Sequence, residues 1–120
     1  MKPRTVIIAL LLGMLLMFPS CGEPISKIEE IESGQSRAEP ILAAIERYRQ
    51  DNGVYPALLQ ELVPGYIGAI PKTVTGRNYE YQLDTSAGGY MLCYQLASQK
   101  RVTCCYLPGL SFWDCSMGVD

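Results

Sequence analysis

Two runs of alternating residues restrict this chain more than anything else in it. Tyr79, Tyr81 and Leu83 alternate with Glu80, Gln82 and Asp84; after turn-forming residues 85–89, Tyr90, Leu92, Tyr94 and Leu96 alternate again. Period-two alternation describes a strand with one buried face. Pairing Leu83 with Tyr90 sets Tyr81 opposite Leu92 and Tyr79 opposite Tyr94, and a one-residue slip would turn all of them to solvent. The tyrosine stripe reads as the face on which a helix packs.

A third strand over residues 102–107 has two registers open to it. If Leu96 faces Val102, then Tyr94 faces Cys104, Leu92 faces Tyr106, and Cys93 meets Cys105 on the opposite face. Slipping by one would drive Arg101 and Thr103 into the core, so the first register is preferred. Four cysteines, Cys93, Cys104, Cys105 and Cys115, allow three disulfide connectivities. The vicinal pair is disfavoured, because neighbours on a strand point to opposite faces. The preferred register favours Cys93 with Cys105, leaving Cys104 to hold Cys115 and a stapled C-terminal tail. A four-cysteine zinc site lacks paired C-x-x-C spacing, and a redox-active pair lacks it too.

Upstream, Ile41, Ala44, Ile45 and Tyr48 make one apolar stripe at helical period, with Leu42 beside it. Ser36 and Glu39 form a capping pattern just before it, and Pro40 suits a first turn. Gly53 supplies a left-handed stop. Asp51-Asn52-Gly53 is a fragment of a calcium-loop pattern without the spaced carboxylates, and reads as a helix end. Pro56 opens a brief helix carrying Leu58, Leu59 and Leu62, closed by Pro64-Gly65, and Tyr66, Ile67 and Ile70 read as core plugs. An earlier segment, capped by Ser26 and Glu29, meets Gly34 and reads as a short helix or spacer, with Glu29, Glu30 and Glu32 on a solvated face.

The helix, the segment Asp51-Asn52-Gly53-Val54-Tyr55-Pro56, the crossing Leu59-x-x-Leu62-Val63-Pro64 and the tyrosine-rich strands together resemble the soluble part of type IV pilin-like proteins. The closest likeness is to the major pseudopilin of type II secretion systems, over roughly residues 40–96. The resemblance implies an α+β fold, an N-terminal amphipathic helix packed on a small antiparallel sheet, here expected with three strands. It implies partners among secretion or pilus components. Family members carry a prepilin-peptidase site, Gly followed by Phe-Thr-Leu-x-Glu, and this chain does not. Family calcium sites do not carry over either, since Asp84, Asp114 and Asp120 are scattered.

The N-terminus has another signal. Lys2 and Arg4 precede an apolar run over residues 6–18, shorter than the ~20 residues needed to span a bilayer, and Pro19 ends it. This is a secretory signal pattern, and Phe18-Pro19-Ser20-Cys21-Gly22 resembles a bacterial lipobox with Cys21 as the lipidated residue. The expected organisation is a lipoprotein signal peptide over 1–20, a tether or short helix over 21–39, and a pseudopilin-like domain over 40–120. Gly22 after the cysteine, by analogy with lipoproteins, points to the outer membrane of a diderm bacterium.

The chain's 120 residues carry 10 basic and 12 acidic side chains. The balance turns more acidic once Lys2 and Arg4 are removed, which argues against nucleic acid. No histidine is present, so Ser-His-Asp and Cys-His catalysis are excluded. Ser98-Gln99-Lys100 is the one Ser/Lys pairing of note, and its hairpin-loop position gives it no oxyanion donors. No catalytic residues, cofactor or metal are expected. The reading is a membrane-tethered, non-enzymatic envelope lipoprotein working by protein contacts, with a stand-alone ligand-binding lipoprotein as the alternative. Phe112 and Trp113, in the tail over residues 107–120, are the candidate partner-binding residues.

Overall fold

The computed structural model of the protein describes residues 24–86 and 88–118. The expected signal peptide, the lipidation residue Cys21 and Asp120 lie outside those residues. The first element is α1, Lys27–Asn52. It starts on a reciprocal capping box: the Glu29 N–H donates to Ser26 Oγ at 3.2 Å and the Ser26 N–H to Glu29 Oε2 at 3.0 Å. It ends at Gly53, whose φ of 75° is left-handed and whose N–H donates to the Arg49 carbonyl at 2.7 Å.

From Lys27 onward, the stretch expected to be a tether is the first half of this helix, and the two residues that suggested breaks are absorbed by it. Gly34 is buried, and its missing side chain makes room for the ring of Tyr94; a Cβ there would lie 2.5 Å from Tyr94 Cζ. The Tyr94 hydroxyl donates to the Ile31 carbonyl at 2.8 Å and Tyr79 to the Gly34 carbonyl at 2.5 Å. Tyr94 of a strand and Tyr79, just ahead of another, therefore grip the helix backbone around the one place where the helix has no side chain. Pro40 sits on the exposed side. Ala38, Ile41, Leu42, Ala44 and Ile45 form the buried stripe.

Glu30 also departs from expectation. It is not on a solvated face but 1% exposed, its carboxylate taking hydrogen bonds from the Ala97 N–H, the Ser98 N–H at 3.1 Å and Thr75 Oγ1 at 3.5 Å. Burial alone would raise its pKa; the hydrogen bonds from Ser98, Ala97 and Thr75 outweigh burial and hold the group below the usual carboxylate range. Glu30 thus ties the start of α1 to the loop between the second and third strands.

After Gly53 a short 3-10 turn, Leu59–Leu62, buries Leu59 and Leu62 and leaves Leu58 60% exposed. Glu61 Oε2 accepts from the Ala57 N–H at 2.6 Å and the Leu58 N–H at 3.2 Å. Tyr66, Ile67 and Ile70 pack against the core half-buried.

The sheet has four strands, not the expected three: β1 (Glu80–Asp84), β2 (Gly89–Gln95), β3 (Val102–Leu107) and β4 (Phe112–Gly118), antiparallel and in sequence order. The segment read as a stapled tail is the fourth strand. The register between the first three is the expected one, with Leu83 opposite Tyr90, Tyr81 opposite Leu92, Tyr94 opposite Cys104 and Cys93 opposite Cys105. Between β3 and β4 the pairing shifts: Cys105 faces Asp114, but Thr103 faces Met117. One residue of β3, Cys104, therefore meets two of β4, Cys115 and Ser116, which is a β-bulge.

Two disulfides cross the sheet, Cys93–Cys105 and Cys104–Cys115. Both straddle β3. Because Cys104 and Cys105 point to opposite faces, one bridge ties β3 to β2 on the outer face and the other ties it to β4 on the core face. Among the described residues no helix is long and apolar enough to cross a membrane.

Candidate functional site

The core face of the sheet is a continuous chain of ring contacts. Tyr79 meets Tyr94 at 5.6 Å, Tyr94 meets Trp113 at 5.5 Å, Trp113 meets Tyr106 at 5.4 Å, and Tyr106 meets Tyr90 at 6.4 Å. Tyr90 in turn stacks on Tyr81 and takes the edge of Tyr55 at 5.0 Å. Three of these phenols end on backbone carbonyls: Tyr79 on Gly34, Tyr94 on Ile31, and Tyr81 on Pro56 at 2.7 Å. Burial raises the pKa of Tyr79 and of Tyr81 to about 12, and pushes Tyr90 and Tyr94 up as well.

Tyr90 and Tyr106 differ from those three. Among the described residues neither hydroxyl has a hydrogen-bond partner, and since no buried side-chain oxygen there lacks one, both hydroxyls reach solvent even though Tyr90 is 4% exposed. Both residues line a cleft of about 630 Å³, a size within the usual range of ligand sites. Leu42, Glu46 and Arg49 of α1 form one wall with Tyr55, and the β1–β2 turn (Asp84, Gly88, Gly89) and β3–β4 turn (Leu107 to Gly109, with Ser111) form the others.

The local sequence explains how the Tyr55 wall is held. The helix stops at Gly53, proline fixes the backbone at position 56, and Tyr81 clamps the Pro56 carbonyl, so Tyr55 folds back onto Tyr90. Its hydroxyl donates to Glu46 Oε1 at 3.4 Å. Arg49 lies over the Tyr55 ring, Cζ to centroid 5.1 Å, with Nη1 3.7 Å from Glu46 Oε2. Burial is the main cause of a raised Tyr55 pKa; the Glu46 charge adds to it and Arg49 opposes it. Two carboxylates, Glu46 and Asp84, stand against one guanidinium in the described lining.

The two residues expected to bind a partner are separated by strand alternation. Trp113 is packed between Tyr94 and Tyr106 on the core face; Phe112 is 45% exposed on the outer face. Trp113 therefore packs into the ring chain while staying partly exposed, and Phe112 offers the more open surface of the pair. Ser98 and Lys100 are exposed in the β2–β3 loop, where the Ser98 N–H serves Glu30 and the Lys100 carbonyl accepts from Gln95. Among the described residues no group of three or more Cys, Asp or Glu is placed to hold a metal ion.

Glu46 and Arg49 carried no signal of their own in the sequence beyond being polar positions on an amphipathic helix. Tyr90 and Tyr106 were indistinguishable from the other tyrosines of the stripe. Their distinction is the missing carbonyl partner, which only the packed molecule reveals. No family model matches the chain, and no curated protein or solved structure matches it.

Proposed function

We propose that this chain is a non-catalytic lipoprotein of a cell envelope, anchored through Cys21, that works by protein contacts in or near a type II secretion or type IV pilus system. The observation that carries the reading is the closure of α1. Residues 51–56 end the helix at Gly53, turn the chain at Tyr55-Pro56 and lead into the Leu59–Leu62 crossing ahead of an antiparallel sheet. That order of elements is the one on which the resemblance to pseudopilins rests. A domain stapled by two disulfides suits an oxidising compartment outside the cytoplasm. The outer membrane of a diderm bacterium is the proposed address.

The test is crosslinked co-purification from detergent-solubilised membranes, with a Cys21→Ala protein as control. Anchor-dependent recovery of pseudopilin, secretin or pilus subunits is the expected result. Recovery of unrelated envelope proteins, or of none, would remove the secretion role and leave a stand-alone lipoprotein with its own ligand. The cleft beside Tyr90 gives that second reading its footing.

A further inference from the structure

The charges of the domain are sorted by end. All the lysines beyond Lys2, namely Lys27, Lys72 and Lys100, belong to the end where α1 begins, together with Arg37, Arg77 and Arg101. Hydrogen bonds hold the three segments that carry them together. Glu30 takes the Ala97 and Ser98 N–H groups of the β2–β3 loop and the Thr75 hydroxyl. Arg37 Nη1 donates to the Lys72 carbonyl at 3.4 Å and Arg77 Nη1 to Gln95 Oε1 at 3.3 Å, and Gln95 donates in turn to the Lys100 carbonyl. None of these cations is paired with a carboxylate; the one ion pair among the described residues, Glu46 with Arg49, is at the other end of the helix. The acids of the basic end do not cancel it. Glu30 is buried on amides, and Glu29, Glu32 and Glu39 fall, at 3.6 residues per turn, on the side of α1 turned away from the sheet. Lys27 and Arg37 flank the buried stripe instead. Glu80 stands a row lower on the outer face, opposite Cys93.

We propose that this basic end docks on the anionic phospholipid headgroups of the bilayer that holds the anchor. The inference rests on the reading of Cys21 as the lipidated residue, and adds how the domain stands on its membrane. Cys21 precedes Lys27 by a stretch that reaches about 20 Å at full extension, so the basic end is the part of the domain kept nearest the surface. Anionic headgroups attract lysine and arginine within about a Debye length, ~8 Å at physiological ionic strength. Ile28 and Val74, 68% and 43% exposed at the same end, are apolar side chains that a membrane interface accepts. The opposite end, about 39 Å away along α1, has no such character. Its arginines are engaged, Arg47 with the Tyr66 carbonyl at 2.6 Å and Arg49 with Tyr55 and Glu46. Its acids, Glu46, Asp51, Glu61 and Asp84, are repelled by an anionic surface. A soluble polyanion would use the same cations; the short tether is what favours the bilayer. Docked this way, α1 rises from the membrane and the cleft beside Tyr90 faces away from it.

The test places the isotopically labelled full chain, purified from membranes with its disulfides intact, in lipid nanodiscs carrying a gadolinium-chelating lipid, and reads the broadening of amide NMR signals. Intact mass reports whether Cys21 is acylated. Discs of neutral phosphatidylcholine are compared with discs that also contain phosphatidylglycerol. The expected result is stronger broadening at Gly76, Ser98 and Arg101 in the anionic discs, sparing Gly53 and Gly88 and falling to the neutral-disc level in high salt. Each basic residue near an anionic surface contributes about fivefold to the docked-to-free ratio. A Lys100→Gln/Arg101→Gln protein should therefore dock about 25-fold less, with wild-type spectra away from the loop. Equal broadening in both kinds of disc, broadening at Gly53 and Gly88 instead, or a double variant that docks like wild type would each overturn the proposal. Shifts of the same amides with heparin but with no disc would overturn it in favour of a soluble polyanion. The anchor and the docked face fail separately. An acylated protein without lipid-dependent broadening keeps the anchor and loses the face; an unmodified Cys21 with broadening confined to the basic end in anionic discs does the reverse.

Discussion

Replacing Glu30 tests the packing logic of the whole domain. The carboxylate is 1% exposed and has no cationic partner among the described residues; it is held by two loop N–H groups and one hydroxyl. A hydrogen bond to a charged group contributes about 1.5–3 kcal/mol, and an orphaned buried amide costs about 1–3 kcal/mol. Ser98 is exposed, so water can serve its N–H after truncation; the Ala97 amide, half-buried, has less access. Glu30→Ala should therefore lose about 2–4 kcal/mol, and Glu30→Gln, which keeps one acceptor oxygen, about 1–2 kcal/mol. Against a typical domain stability of about 5–15 kcal/mol the larger loss is easily measured. The assay is urea unfolding of the disulfide-intact protein, run from neutral to acid pH. The folded pKa of Glu30 lies below its unfolded value of about 4.3. The contribution is therefore complete above the unfolded pKa and is lost as pH falls through the folded one. The gap between wild type and Glu30→Ala should narrow below about pH 4. A Glu30→Gln protein as stable as wild type at neutral pH, or a gap that holds constant into strong acid, would refute the reasoning.

Gly34→Ala should destabilise by about 1–2 kcal/mol, because overpacking against the Tyr94 ring outweighs the ~1 kcal/mol of helix propensity that alanine brings; thermal unfolding checks it, and a rise in midpoint would contradict it. Tyr79→Phe should cost about 1 kcal/mol through loss of the bond to the Gly34 carbonyl, read by urea titration. In alkali, Tyr79 and Tyr81 stay protonated in the fold up to about 12. Since an unfolded tyrosine ionises near 10, the stability they confer is complete below that pH and drains away as pH rises through the folded pKa. Ultraviolet phenolate absorbance should accordingly show a late, cooperative component coincident with loss of near-ultraviolet dichroism. Removing either disulfide as a Ser/Ser pair should cost about 2–3 kcal/mol, and nearly the same for both, since the bridged separations are 12 and 11 residues; unequal losses would point to strain or residual structure instead of loop closure.

The hairpin registers and the pairing of cysteines were legible because alternation and burial act locally and reject a one-residue slip. The helix stop was legible because Gly53 has a conformational job that few residues can do. The cap at Ser26 and Glu29 was legible too, but the continuity of the helix from there was not. Gly34 looks like a break until Tyr94, far along the chain, is seen to occupy its vacancy, and Pro40 costs less on an exposed side than its propensity suggests. The fourth strand was hidden by its own bulge: with Cys115 and Ser116 both set against Cys104, the alternation fails midway and the segment reads as a tail. Glu30 followed the ordinary rule that a glutamate among glutamates is wet; the loop amides that overrule it come from the β2–β3 turn. The cleft draws on four separate stretches, so no local pattern could announce it.

Cys104 and Cys105 are consecutive, yet each belongs to a different bridge. A pull applied across residues 93 and 115 would thus follow a covalent short cut: through one sulfur pair, along a single peptide bond, and out through the other. The hairpin backbone on either side stays slack, and roughly 75 Å of extended contour is withheld from stretching. Tension on this domain would be spent on the helix, the proline-rich crossing, β1 and the start of β2, while the stapled stretch carrying Tyr106 kept its length.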